Sequence, residues 1–330
     1  MMNEKEVVVI TGASAGLGRA IAQEFARHGA RVALIAREEE RLQSAKKEIE
    51  ESGGEALIFP ADVADFDQLE RAAAEVEQQW GAIDVWVNNA MVSVLSPVWE
   101  MQPDEYRRVT EVTYLGQVYG TMVALNRMKP RNRGSIVLVG SALAYRGIPL
   151  QSAYCAAKHA IQGFYDSLRA ELLHEKSDVK VTMVQLPGMN TPQFDWTRNR
   201  MPNKMRPMGK IYQPEVAART VYYAAHNPDR EFKVGFPTLQ AILGNKLLPL
   251  VGDWVLAKQG FQGQQSDVPE QPGRPDNLYE PVKGDYGAHG RFDEQAHDVS
   301  VVGWLGRHQA VPVAATVLIG LVLGGLLLRR

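Results

Sequence analysis

A chain of 330 residues with 45% hydrophobic side chains can bury one large α/β core and still carry an appendage. Its formal charge of −2, without a basic stripe, excludes nucleic acid as the expected partner. One cysteine, Cys155, rules out an intrachain disulfide and fits a reducing compartment, and seven scattered histidines without an HExxH or Cys/His cluster imply no metal.

The segment Met1–Glu6 leads straight into the apolar run Val7–Ile10, too short for a signal-peptide core, so the folded domain is expected on the cytosolic side. Short β-rich runs then alternate with amphipathic stretches of helical length: Val7–Ile10, Arg31–Ile35, Ala56–Phe59, Ile83–Val87, Ser135–Val139 and Lys180–Gln185. That alternation predicts an α/β, doubly wound parallel sheet with helices on both faces, because parallel strands need crossover connections. A seventh strand is expected near Phe232–Val234, and Pro249 should split the apolar stretch Thr238–Lys258 into two helices. This domain is taken as residues 1–260.

Residues 261–303 hold four prolines, six glycines and eight acidic against three basic side chains, with almost no apolar periodicity. They read as an extended acidic linker, reaching roughly 35–40 Å and leaving the domain free to turn. Residues 304–330 read as a membrane anchor: 311–328 carry no charge, a helix of that length spans about 27 Å, and Trp304 and Arg329-Arg330 suit the two interfaces. Gly320 and Gly324 add a GxxxG spacing at which two such helices can meet.

The first strand runs into Thr11-Gly12-Ala13-Ser14-Ala15-Gly16-Leu17-Gly18, followed by a helix with Ile21, Ala22 and Phe25 on one face. Glycines let backbone approach a pyrophosphate, and free N–H groups at the helix start supply positive potential. At the second strand end, Leu34-Ile35-Ala36-Arg37 offers a cation and no carboxylate, which favours a 2′-phosphate and hence NADP(H); the bland alternative is a solvated arginine at a helix start. Arg19, beyond the third glycine, reads as a surface residue. Asp62-Val63 and Asn88-Asn89-Ala90 follow the third and fourth strands. Tyr154 and Lys158 stand at i and i+4 on a helix, where an ammonium should lower the phenol's pKa, and Ser141 follows the fifth strand as a donor to a developing oxyanion. Pro187-Gly188-Met189-Asn190-Thr191 follows the sixth. Cys155 and His159 read as packing or surface residues. Tyr279 and Lys283 repeat the Tyr-x-x-x-Lys spacing by chance, with Pro281 preventing a helical pair.

The TGxxxGxG loop, Ser141 and Tyr154-x-x-x-Lys158, in this order, resemble the short-chain dehydrogenase/reductase family over roughly residues 5–240. The resemblance implies a Rossmann-like fold and NADP(H)-dependent hydride transfer between a carbonyl and an alcohol, catalysed by Ser141, Tyr154 and Lys158. It assigns the cofactor to Gly12, Ser14, Gly16, Leu17, Gly18, Arg37, Asp62, Val63, Asn89, Tyr154, Lys158, Pro187, Gly188 and Thr191. It also implies a homo-oligomer through the helices around Thr113–Met128 and Ser152–Glu175, and a variable substrate loop over Met189–Lys210. A lipophilic substrate is expected from the anchor. Two positions depart from the pattern: Met91 replaces the glycine of NNAG, and Thr113 replaces an asparagine that binds a relay water. They motivate an alternative, a membrane-tethered NADPH-binding scaffold or redox sensor with little turnover.

Overall fold

Seven short runs rich in β-branched residues pair as one fully parallel sheet in the computed structural model, which describes residues 5–308. They are β1 Val7–Thr11, β2 Arg31–Ala36, β3 Glu55–Pro60, β4 Val85–Asn88, β5 Ser135–Val139, β6 Lys180–Gln185 and β7 Glu231–Lys233, in spatial order β7-β6-β5-β4-β1-β2-β3. The expected strands all form, two with the expected ends and the others with an end shifted by one or two residues.

The connections are helices: α1 Gly16–Arg27, α2 Glu39–Glu51, α3 Phe66–Trp80, α4 Pro103–Val109, α5 Gly116–Met128, α6 Ser152–His174, α7 Gln193–Trp196 and α8 Pro214–His226. Between α4 and α5 the backbone keeps turning through a π-helical segment, Thr110–Leu115. Strand side chains alternate between two apolar layers, as the two-residue period of a strand requires. Val7, Val9, Ile35, Trp86, Ile136 and Met183 face α3, α5 and α6. Val8, Ile10, Val32, Leu34, Val87 and Val139 face α1, α2 and α8. A parallel sheet covered on both faces needs this double burial. The seventh strand leads into α9 Phe236–Leu247 and α10 Pro249–Gln259, separated where proline was expected to break the run, and α11 Val301–Arg307 packs beside α8 and β7.

The expectation of a free linker over 261–303 is corrected. Residues 265–269 pair antiparallel with 203–205, and 296–297 pair in parallel with 211–212. Leu278 is buried with Val63 and Val112, and Phe292 meets Phe194 edge-on at 5.6 Å. Some of its acidic residues latch onto the domain: Asp276 accepts from Arg198 at 2.8 Å, and Asp285 from Arg19 at 2.5 Å and Ser44 at 2.5 Å. Arg19 is corrected too, since its side chain is 1% exposed and also grips Glu48. This strap has no periodicity because its backbone is satisfied by the domain surface, not by a helix or sheet of its own. Among the described residues no helix is long and apolar enough to cross a membrane; the expected span 311–328, with Gly320 and Gly324, lies outside them.

Burial alone would push the Asp285 carboxyl up, but hydrogen bonds from Arg19 and Ser44 outweigh it and hold it at about 2. A depressed carboxyl stabilises the fold above its unfolded pKa of about 4, and that contribution disappears as pH falls through the folded value. Wild type should therefore be more stable than Asp285→Asn at pH 6, with the gap closing between about pH 4 and about pH 2. Paired urea titrations across that range measure it; a gap independent of pH would mean that the ionised latch contributes nothing.

Candidate functional site

At the carboxyl ends of β1 and β4 the crossovers leave for opposite faces, and the gap between them opens into a cavity of about 730 Å³. Its floor is the glycine loop. Gly12 has φ +68°, and a Cβ there would sit 2.8 Å from Ala90 Cα. A Cβ on Gly18 would lie 2.1 Å from the Gly12 carbonyl oxygen, so both positions need glycine. Asn89 pins the loop: its Nδ2 donates to Thr11 O at 3.0 Å and Gly12 O at 3.3 Å, while its N–H donates to Thr11 Oγ1 at 3.0 Å. The backbone thus approaches the cleft with no side chain between, which suits a pyrophosphate lying on the start of α1 with Ser14, Gly16 and Leu17 beside it. The strap touches this loop as well, its Gly287 carbonyl accepting from Gly16 N–H at 2.9 Å.

The next wall comes from the ends of β2 and β3. Arg37 is oriented by two strap carbonyls, Asn277 O and Tyr279 O, each at 2.6 Å. Burial lowers its pKa from the usual arginine range, and the guanidinium still lines the cavity. Asp62 is ion-paired with Arg108, and its Oδ1 accepts from Ala64 N–H at 3.0 Å; Val63 lies beside it on the cavity wall. No carboxylate stands at Ala36. Arg41, which sequence reasoning missed, lies 5.0 Å from the Trp196 ring and 5.8 Å from that of Tyr286. Its only sequence signal is the one-turn spacing from Arg37.

The opposite wall carries Ser141, Tyr154 and Lys158. Ser141 follows β5, where its Oγ accepts from Leu143 N–H at 3.1 Å and its own N–H donates to Gln185 Oε1 at 2.7 Å. Gln185 is fully buried and was not singled out from the sequence. Tyr154 and Lys158 share one face of α6, with Nζ 5.6 Å from the phenol ring centroid. Nζ donates to Val139 O at 2.7 Å. Burial pushes the Tyr154 phenol above its usual range, opposed in part by a hydrogen bond with Ser141, and pushes the Lys158 ammonium down to about 7. The expected lowering of the phenol by the ammonium does not dominate; desolvation does. Pro187, Gly188 and Thr191 complete the rim, so every residue expected at the site faces this one cavity.

Thr113 is buried, and its hydroxyl accepts from Val92 N–H at 3.1 Å and donates to Val92 O at 2.8 Å. It clamps the segment after β4. Met91 lines the cavity. Cys155 is a buried free thiol pushed by burial to about 11, and His159 Nδ1 lies 2.8 Å from Cys155 O on the helix surface. Tyr279 lies outside any helix and bonds Asp104, so its chance spacing to Lys283 assembles nothing. Beyond Ser141 the cavity is walled by Leu143, Ile148, Phe194, Met205, Met208, Val255 and Leu256, with Arg146 at the α9–α10 side. Asn190, unassigned from the sequence, is buried and ties this rim to Gln213 at 2.9 Å, Asp293 at 2.8 Å and Phe292 N–H at 3.0 Å.

Residues 6–201 match the short chain dehydrogenase family. The chain is 32% identical over 279 residues to the "Uncharacterized oxidoreductase YxnA" of Bacillus subtilis (strain 168), covering 83% of this chain and 78% of that protein. It is 33% identical over 222 residues to the 3-dehydrosphinganine reductase of Danio rerio, covering 65% and 66%. Among solved structures, a metagenomic short-chain oxidoreductase in complex with NADP superposes with a TM-score of 0.59 at 29% identity, covering 69% of this chain and 96% of that one.

The lowered pKa of Lys158 carries a stability consequence. Below about pH 7 the folded protein holds a buried ammonium; from there to about 10.4 the unfolded chain binds the extra proton, so the cost fades as pH rises. Lys158→Met should therefore raise the melting temperature of the cofactor-free protein most at pH 6 and progressively less toward pH 10. Calorimetry at four pH values tests this, and a gain that grows with pH would contradict it.

Proposed function

Because this chain belongs to the short-chain dehydrogenase family, whose members are oxidoreductases on a nicotinamide-binding fold, we propose that it interconverts a hydrophobic ketone or aldehyde and its alcohol with NADP(H). The observation that carries this reading is the meeting of Ser141, Tyr154 and Lys158 with the glycine loop and Arg37 around one cavity. The cofactor, when bound, supplies or accepts the hydride. Gly12, Ser14, Gly16, Leu17 and Gly18 would hold its pyrophosphate, and Asp62, Val63 and Asn89 its adenosine side. Arg37, with Ala36 beside it, would pair with a 2′-phosphate. Lys158 and Thr191 lie toward the nicotinamide end, with Pro187 and Gly188 shaping the wall.

The chemistry of the chain itself is proton transfer and orientation. Ser141 donates a hydrogen bond to the carbonyl oxygen, where negative charge grows as the carbon is reduced. Tyr154 gives that oxygen its proton; in the reverse direction it takes the proton back. Its high pKa in the buried cleft keeps it protonated and ready to donate. Lys158 raises the local potential and stabilises the phenolate that remains. The apolar wall formed by Ile148, Phe194, Met208 and Leu256 supports a lipophilic substrate, as does the similarity to a 3-dehydrosphinganine reductase.

We also propose that residues 311–328 tether the enzyme to a membrane with the domain on the cytosolic side. Support comes from their uncharged sequence and from Leu247, Leu248, Leu250 and Trp254, which are exposed on α9–α10 while Ala241, Val255 and Leu256 of the same helices line the cavity.

NADPH and NADH oxidation measured against a panel of aldehydes and ketones tests the catalytic reading. Tyr154→Phe should lose turnover by about 10²-fold or more with NADPH affinity nearly unchanged. Ala36→Asp/Arg37→Ala should reverse a preference for NADPH. Near-wild-type activity in Tyr154→Phe, or equal affinity of wild type for both cofactors, would overturn the corresponding assignment. Deleting 310–330 should give an active enzyme in the soluble fraction; a truncated protein that stays wholly on membranes would transfer the anchoring to α9–α10.

A further inference from the structure

A long side chain that meets a ligand from solvent loses rotamer freedom on binding, whereas one already held in place does not. Arg37 is held, and the strap holds it. Three consecutive strap carbonyls accept from guanidiniums of the domain: Asn277 O from Arg37 Nη2 at 2.6 Å, Leu278 O from Arg108 Nε at 3.1 Å and Tyr279 O from Arg37 Nη1 at 2.6 Å. Arg108 is in turn ion-paired with Asp62. One tripeptide therefore fixes the cation at the end of β2 and, through Arg108, the carboxylate after β3.

The tripeptide is itself anchored on the side away from the cavity. Leu278 is fully buried, its N–H donates to Asp276 Oδ1 at 3.0 Å, and Asp276 Oδ2 accepts from Arg198 at 2.8 Å. The Asn277 N–H donates to Trp196 O at 3.0 Å. The strap lies beyond residues 6–201, the stretch matched to the family, so this support belongs to the chain's own extension.

The guanidiniums at this end have bonding capacity left over. An arginine offers five N–H donors, and the strap carbonyls take two of those on Arg37, which lines the cavity together with Asn277 and Pro281. Arg41, one turn on, lines it too; it is 5% exposed, and its Nε is buried with no hydrogen-bond partner among the described residues. Arg127, Arg131, Arg146, Arg169 and Arg206 share such an Nε but bond through their terminal nitrogens, which Arg41 does not among the described residues. Glu38 lines the same rim and attracts Arg41 without forming an ion pair among the described residues. Unspent donors on two guanidiniums beside one cavity fit an anionic ligand group there.

We propose that the strap is a specificity-determining part of the cofactor site: the carbonyls of Asn277, Leu278 and Tyr279 hold Arg37 and Arg108 in the arrangement that takes a ribose 2′-phosphate, so that preference for NADP(H) depends on a segment 240 residues beyond Arg37. Without the strap Arg37 keeps its charge and loses its position. Affinity for the 2′-phosphate then falls, while the rest of the nucleotide, held by the glycine loop, is bound as before. The coupling is reciprocal, so a ligand that engages Arg37 also firms the strap.

This inference rests on the NADP(H) reading, and the experiment separates the two. Calorimetry on the full, cofactor-free chain compares adenosine 2′,5′-bisphosphate with adenosine 5′-monophosphate, probes that differ by the 2′-phosphate alone. Equal affinities in wild type fail the NADP(H) reading and the strap proposal with it. Given a wild-type preference, Asp276→Ala, which removes the anchor of the Leu278 N–H from outside the cavity lining, should weaken the bisphosphate about tenfold and the monophosphate less than about twofold. Asp276→Asn keeps an oxygen for that N–H and should restore most of the loss. In an Arg37→Ala background Asp276→Ala should add nothing, because both act through one group. In wild type, amide hydrogen exchange over 277–287 should slow more with the bisphosphate than with the monophosphate. A wild-type preference retained in both Asp276→Ala and Leu278→Ala overturns the proposal. So does an equal loss for both probes, or a strap effect that persists without Arg37; if one variant does not fold, the other and the exchange measurement decide.

Discussion

The structure depends on a clamp where β1 and β4 separate. There the sheet must stay paired while its two crossovers leave for opposite faces, and the resulting gap exposes backbone that neither helices nor strands can satisfy. Thr11 and Asn89 close it with side chains, four hydrogen bonds between 3.0 and 3.3 Å joining the two strand ends. Because the clamp holds the loop open toward the cleft, Gly12 and Gly18 can pass close to one another, and Gly16, Leu17 and Gly18 of the first turn of α1 line the cavity. The positions of Ser141 and Tyr154 relative to that loop follow from the registers of β4, β5 and β6.

Electrostatics in the cleft is governed by desolvation. Burial pushes Tyr154 and Lys158 both toward their neutral forms, the phenol upward and the ammonium downward. A binding site that brings a polar ligand against Nζ shifts this balance toward the charged amine, which couples ligand occupancy to the proton inventory of the site.

The sheet was legible in the sequence because its signals are local: β-branched runs such as Val7–Ile10, apolar stripes such as Ile21, Ala22 and Phe25, and the proline between α9 and α10. The gathering of the candidate residues around one cavity was legible because glycine spacing and the one-turn step from Tyr154 to Lys158 are also local. The strap was not. Composition marked residues 261–303 as an extended acidic linker, yet Leu278 and Phe292 are buried, and Asp285 meets Arg19, which lies 266 residues away in the chain. Arg19 was misread for the same reason, since nothing near it in sequence announces Asp285. The role of Thr113 was illegible in another way: a hydroxyl facing its own neighbouring strand end looks, in sequence, the same as one facing a water.

The strap also sets the order in which the cleft can be completed. Arg37 is synthesised early, but the carbonyl of Tyr279 that orients it arrives 242 residues later. At ~5–20 residues per second that delay is roughly 12–50 s. Through that interval the nascent chain can pair β1, β2 and β3 and bury their apolar faces, while the guanidiniums of Arg19 and Arg37 wait without their final partners. Completion of the Arg37 side of the cleft is therefore a late folding event, dominated by long-range contacts and slow by topology. A chain interrupted before residue 285 would carry Ser141, Tyr154 and Lys158 and lack Asp285, one of the two carboxylates that hold Arg19.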